Sequence, residues 1–110
     1  AKAFLRPVRR RRNLEVATGA LVRRLLVERD ADGALRCTGC ELATPQGLHT
    51  VRAHGELLLA AGAIGSPQLL QLSGLGPPAL LQRHGIAPQH ALPGVGENLQ
   101  DHLQIRAVYT

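Results

Sequence analysis

The sequence contains no methionine and no tryptophan, and Phe4 and Tyr109 are its only aromatic residues. Any core must therefore be built from Leu, Val and Ala. The lack of interleaved aromatic faces removes the stacking platform on which single-stranded nucleic acid is held. No apolar run approaches the ~20 residues of a membrane-spanning helix, and the opening residues show no signal-peptide pattern. The absence of methionine extends to the initiator, which leads us to expect a segment of a longer polypeptide. At 110 residues the chain is long enough for one small domain.

Acidic residues are the minority, and the formal charge of +5 leans on Arg6, Arg9, Arg10, Arg11 and Arg12. Such a cluster raises nucleic acid or an anionic surface as a partner. It follows a helix-like stretch, Ala1 to Leu5, interrupted by Pro7. Cations beside the last carbonyls of a solvated helix account for it, and no nucleic-acid partner is expected.

Further along, Leu14 and Val16 alternate with polar residues before Thr18-Gly19, which predicts a short strand ending in a turn. A second strand is expected over Leu21 to Glu28. Asp30-Ala31-Asp32-Gly33 is a turn signal, and Leu35 to Leu42 can run back beside the preceding strand. Thr44-Pro45-Gln46-Gly47 turns the chain once more, and Leu48, Val51 and Ala53 suit the third strand of an antiparallel meander.

Leu57 to Ala61 is a short apolar run closed by Gly62, the pattern of a strand buried on both faces of a parallel sheet. A helix is expected at once, with Ser66 as its N-cap, Pro67 as its first residue, and Leu69, Leu70 and Leu72 on its apolar side. Ala61, Gly62 and Ala63 carry almost no side chain, so a ligand could lie against their backbone. The free N–H groups at the helix start could face an anion.

Gly62-Ala63-x-x-Ser66-Pro67-x-Leu69-Leu70-x-x-Ser73-Gly74-Leu75-Gly76 resembles the second signature of the glucose-methanol-choline (GMC) oxidoreductases, flavoenzymes that oxidise alcohols with FAD. The resemblance extends from Asn13-Leu14-x-Val16-x-Thr18-Gly19-Ala20-x-Val22 to Leu92-Pro93-Gly94-Val95-Gly96-Glu97-Asn98-Leu99-Gln100-Asp101-His102. It is strongest to the choline-dehydrogenase branch. It implies an α/β fold, a Rossmann-like FAD-binding domain of the glutathione-reductase type with a three-stranded antiparallel β-meander as one crossover. Residues 1–110 would be part of that domain: meander at about 21–53, signature strand, turn and helix at 56–76, flavin-side loop at 92–102.

The same resemblance implies the site residues. Val22 would lie at the adenine end of FAD through its backbone, although a β-branched core residue is the alternative at that position. Ala61, Gly62 and Ala63 would form the open backbone edge. Asn98 would offer an amide to a flavin or pyrophosphate oxygen, and Asp101 or His102 would fix the loop, with an Asx turn or helix cap as the alternative for Asp101. No catalytic residue is expected, because the family's proton-abstracting His belongs to a C-terminal motif that none of His49, His54, His84, His90 or His102 matches. The implied substrate is a small-molecule alcohol, choline or another CH–OH donor, whose hydride passes to flavin while a base removes the hydroxyl proton. The segment alone would be inactive. Oligomeric state and electron acceptor stay open.

Cys37 and Cys40 with His49 and His54 form Cys-x2-Cys-x8-His-x4-His, which approaches a zinc-finger pattern. The second gap is shorter than the usual ~12 residues and holds a Pro-Gly turn rather than a helix to present both His on one face. No metal is therefore expected, and Cys40 is read as a small buried hydrophobe. A non-catalytic β-rich binding module, or a zinc-binding one, remains the alternative to the flavoenzyme. Gly74-x-Gly76-x-x-Ala79 imitates a dinucleotide fingerprint, but it follows a helix, and Pro77 and Pro78 remove the N–H groups a phosphate needs. Ala79 to His84 begins another helix, which Gly85 should close in a left-handed turn, pairing Leu81 with Ile86.

Overall fold

A computed structural model describes residues 3–108. The expected meander is its main feature. β1 (Leu21–Arg29), β2 (Leu35–Thr44) and β3 (Gly47–Arg52) form one antiparallel sheet in the order β1-β2-β3. Asp30 builds the first hairpin. One of its carboxylate oxygens accepts from the amides of Asp32 and Ala34 at 3.1 and 2.9 Å, and the other accepts from the Arg36 guanidinium. Gly33 supplies the left-handed residue, φ +81°.

The pairing is irregular at two places. Between Leu26↔Gly39 and Val27↔Cys37, Thr38 is the extra residue on β2, and between Val22↔Leu42 and Arg24↔Glu41, Arg23 is the extra residue on β1. At the first bulge a Cβ on Gly39 would overlap the Val51 carbonyl oxygen, so only glycine lets β3 approach there. Thr38 itself receives a hydrogen bond from Arg52, which also pairs with Glu28, so one guanidinium spans all three strands.

Three segments ahead of the signature helix differ from what the sequence predicts. Part of the first expected helix, residues 1–2, lies outside the described residues; the helix observed, α1 (Leu5–Val8), runs through Pro7. Pro7 is its third residue, where an N–H would have no intrahelical acceptor anyway, so the ring does not break the turn. Leu14 to Val16 is irregular rather than a strand, because no described strand lies alongside to pair with it. Leu57 to Ala61 is likewise neither a strand nor buried, and Leu58 is 84% exposed. A parallel strand exists only through its neighbours, and the described residues supply none.

Helix α2 (Gly62–Leu72) packs on β1. It ends at Ser73, and Gly74 turns left-handed at φ +81° into a short strand, β4 (Leu75–Gly76). Helix α3 (Pro78–Arg83) follows, and β5 (His90–Ala91) returns to pair with β4 in parallel. The ending expected at Gly85 is present: Ile86 N–H bonds to the Leu81 carbonyl at 2.9 Å and Gly85 N–H to that of Gln82 at 3.0 Å.

Buried apolar side chains among the described residues are few: Leu25 on β1, Leu69 on α2 and Leu81 on α3, the last only 1% exposed. The radius of gyration is 18.1 Å, against about 13 Å for a compact chain of this length. The chain is thus an open assembly, with Ile64, Leu99, Leu103 and Ile105 turned to solvent.

Candidate cofactor-binding site

The signature turn departs from its expected capping. Helix α2 starts at Gly62, not at Pro67, with Ala61 in the N-cap position and no side chain capping it. Ser66 is inside the helix, and its hydroxyl accepts from the Ala61 amide at 3.0 Å, closing the turn from within. Pro67 therefore lies in the helix interior, where it deprives the Ala63 carbonyl of its usual donor. The reason is the run Gly62-Ala63-Ile64-Gly65. Small residues and a left-handed Gly62, φ +84°, let the chain enter the helix before the Ser-Pro pair. The first-turn N–H groups at Gly62 and Ala63 are consequently left without a side-chain acceptor, and a Cβ built on Gly62 would meet nothing within 4 Å.

Two grooves flank this helix start. The first, about 460 Å³, lies between β1 and α2 and is lined by Val22, Leu58, Ala60, Ala61, Gly65 and Leu69, among others. It brings Val22, which is 37% exposed, to the small-residue edge that begins at Ala61. The second, about 430 Å³, is lined by Ala63, Pro67, Gln71, Gly96, Glu97 and Leu99. Gly62 stands between the residues that open onto each.

Asn98 is carried by the segment that walls the second groove, and it has φ +56°, the only described residue other than glycine in that region. Its neighbours Glu97 and Leu99 line the groove and Asn98 itself does not. Asp101 stays apart from the other candidates. It is exposed, and among the described residues its carboxylate accepts only from the adjoining His102 amide at 2.7 Å, so it makes neither the Asx turn nor a bond across the loop there.

Two residues of the site region had no assigned role. Ser73 is buried, and its hydroxyl accepts from the Leu25 amide at 2.8 Å while donating to the Leu69 carbonyl at 2.6 Å. It thereby docks α2 on β1. Gln71 donates from Nε2 to the Val95 carbonyl at 3.0 Å, holding the 92–98 loop to α2. A serine before the helix-ending glycine was a readable cue for the first; an x position in the signature offered none for the second.

Elsewhere, Cys37 and Cys40 are free and half-buried, and the Cys37 thiol donates to the Gly39 carbonyl. Burial, and then the nearby Cys37, push the Cys40 thiol pKa up. His49 meets the Thr44 hydroxyl at 3.0 Å. Among the described residues no three His, Cys, Asp or Glu side chains gather in a metal-ligating group. No helix of the described residues is long and apolar enough to cross a membrane.

Residues 1–104 match the family model described as GMC oxidoreductase. The chain belongs to the GMC oxidoreductase family. Among GMC relatives, an oxygen-dependent choline dehydrogenase of Photobacterium profundum is 46% identical over 109 residues, 99% of this chain and 18% of that protein. A GMC oxidoreductase family protein, Mala s 12, of Malassezia sympodialis is 45% identical over 102 residues, 91% of this chain and 16% of that protein. The crystal structure of pyridoxine 4-oxidase from Mesorbium loti superposes with a TM-score of 0.79 at 40% identity, over 87% of this chain and 18% of that one. An FAD-dependent oxidoreductase from Chaetomium thermophilum gives 0.77 at 37% identity, over 87% of this chain and 16% of that one. The chain thus spans under a fifth of the length of each of these GMC relatives.

Proposed function

We propose that this chain forms part of the FAD bed of a flavoenzyme that oxidises a CH–OH donor, choline or another small alcohol. The observation that carries the reading is the groove between β1 and α2, which joins Val22 to Ala61 although they belong to separate family-like segments. The residues present fit such a group. The groove is apolar along Val22 and Leu69, as an adenine ring needs, and reaches Ala61, next in the chain to the uncapped N–H groups of Gly62 and Ala63 that suit an anionic oxygen.

In this reading Val22 offers backbone groups and Ala61 to Ala63 an approachable main chain. Asn98 supplies an amide from the segment that walls the second groove, and Asp101 follows at the exposed end of that segment, bonded to the His102 amide. Bound flavin supplies the hydride acceptor. The chain's own contribution is to bind and orient, since no residue here is assigned the proton-abstracting role. Catalysis requires the remainder of a longer protein, so the segment alone is inactive. The relatives named as choline dehydrogenases support choline as the first donor to examine.

The bed is tested by the flavin content of the full-length protein carrying Gly62→Val. A β-branched residue at φ +84° is strained and places bulk in the open space over the turn. Lowered FAD content with retained secondary structure is expected. Undiminished FAD would take residues 61–63 out of the bed.

A further inference from the structure

Gln71 sits in an x position of the family-like signature, yet the chain is shaped around its side chain. Its Nε2 donates to the Val95 carbonyl at 3.0 Å, and the residue is partly buried. Two glycines make room for it. A Cβ on Gly96 would stand 2.7 Å from Gln71 Nε2, and a Cβ on Gly76 3.1 Å from Gln71 Cγ. Gly96 is also left-handed, φ +89°, two residues before the left-handed Asn98. The loop's own bonds are local: Val95 N–H to the Leu92 carbonyl at 3.1 Å and Glu97 N–H to that of Gly94 at 3.2 Å. These shape the turn, and Leu92 N–H to the Gly76 carbonyl at 3.0 Å anchors the start of the loop to β4 rather than to α2. The Gln71 carboxamide is the side-chain hydrogen bond that ties it to α2, on the wall of the groove that Ala63 also lines.

We propose that Gln71 is a positioning residue, whose carboxamide clamps the 94–98 turn onto the signature helix and so sets where Asn98 stands relative to the flavin. The inference rests on the FAD bed proposed above. Gly96 is its partner. Any larger residue there displaces the carboxamide, so Gly96→Ala should reproduce the loss of Gln71.

The test uses the full-length protein as wild type, Gln71→Leu and Gly96→Ala. Amide hydrogen exchange is followed for residues 94–98, with the visible-region circular dichroism of bound flavin as the second readout. Leucine keeps the bulk and removes the donor. Exchange at 94–98 should rise about ten-fold in both variants, the size of one partly buried hydrogen bond, and the flavin dichroism should change with it. Unchanged exchange in both variants would overturn the clamp. Faster exchange with unchanged dichroism would overturn the positioning role and leave Gln71 a structural residue. A wild type that binds no FAD would refute the cofactor bed and the positioning role together, while the exchange data would still decide the clamp.

Discussion

The Ser73 hydroxyl accepts a hydrogen bond from the Leu25 amide at 2.8 Å, and this buried contact joins the end of the signature helix to the first strand of the meander. The Leu25 N–H would otherwise be a buried strand amide without a partner. Because the same hydroxyl donates to the Leu69 carbonyl, Ser73 is fixed at both its donor and its acceptor. Replacing it with alanine keeps the shape and removes both bonds. Ser73→Ala should destabilise by about 1–3 kcal/mol, the cost of leaving a buried amide unsatisfied. Urea unfolding of the full-length protein measures this, and an unchanged midpoint would show that the contact is not formed.

Gly74 and Gly33 separate two reasons for glycine. Both have φ +81°, so alanine at either costs about 1–2 kcal/mol in left-handed strain. Only at Gly74 would the new Cβ also collide, 2.7 Å from the Ala87 carbonyl oxygen and 2.8 Å from Gln89 Cγ; Gly33 faces open space. Gly74→Ala should exceed Gly33→Ala by a further ~1–3 kcal/mol of overpacking. Equal losses would mean that residues 87–89 do not lie against the end of α2.

The hairpin carboxylates set an acid-side dependence. The Arg36 guanidinium, bonded to Asp30, holds that carboxyl below its usual 3.8, helped by the Ala34 and Asp32 amides; Arg52, then Thr38, holds Glu28 below 4.5. A depressed folded pKa means that the contribution is complete above the ordinary value and is lost as pH falls through the lowered one. Its window therefore lies below pH 4.5 for Glu28 and below 3.8 for Asp30. Glu28 is exposed and Asp30 partly so, and solvent screening keeps the effect small. The difference in unfolding midpoint between wild type and a Glu28→Gln, Asp30→Asn double variant should be constant above this range and shrink within it. A difference that grew on acidification would reverse the assignment.

What could be read in the sequence depended on how local its cause was. The Asp30 to Gly33 turn and the Gly85 helix ending are made by residues a few positions apart, and both appear with the expected bonds. The meander needs only hairpin neighbours, and its strands fall within two residues of their expected limits. Leu57 to Ala61 failed because a parallel strand depends on partners distant in the chain. The start of α2 failed for the opposite reason. Ser66-Pro67 is a strong local cap signal, but the small residues before it let the helix begin earlier. Val22 and Ala61 share a groove by tertiary packing, and only the family resemblance had linked them. Gln71 had no signal because its partner is a backbone carbonyl, which every residue carries.

The central claim, that this segment serves an alcohol-oxidising flavoenzyme, is tested most directly by the visible absorption spectrum of the purified full-length protein. It is recorded before and after anaerobic addition of choline and simple primary alcohols. Oxidised flavin bands that bleach with one of these donors are the predicted result. A colourless, folded protein that FAD cannot reconstitute would contradict the claim.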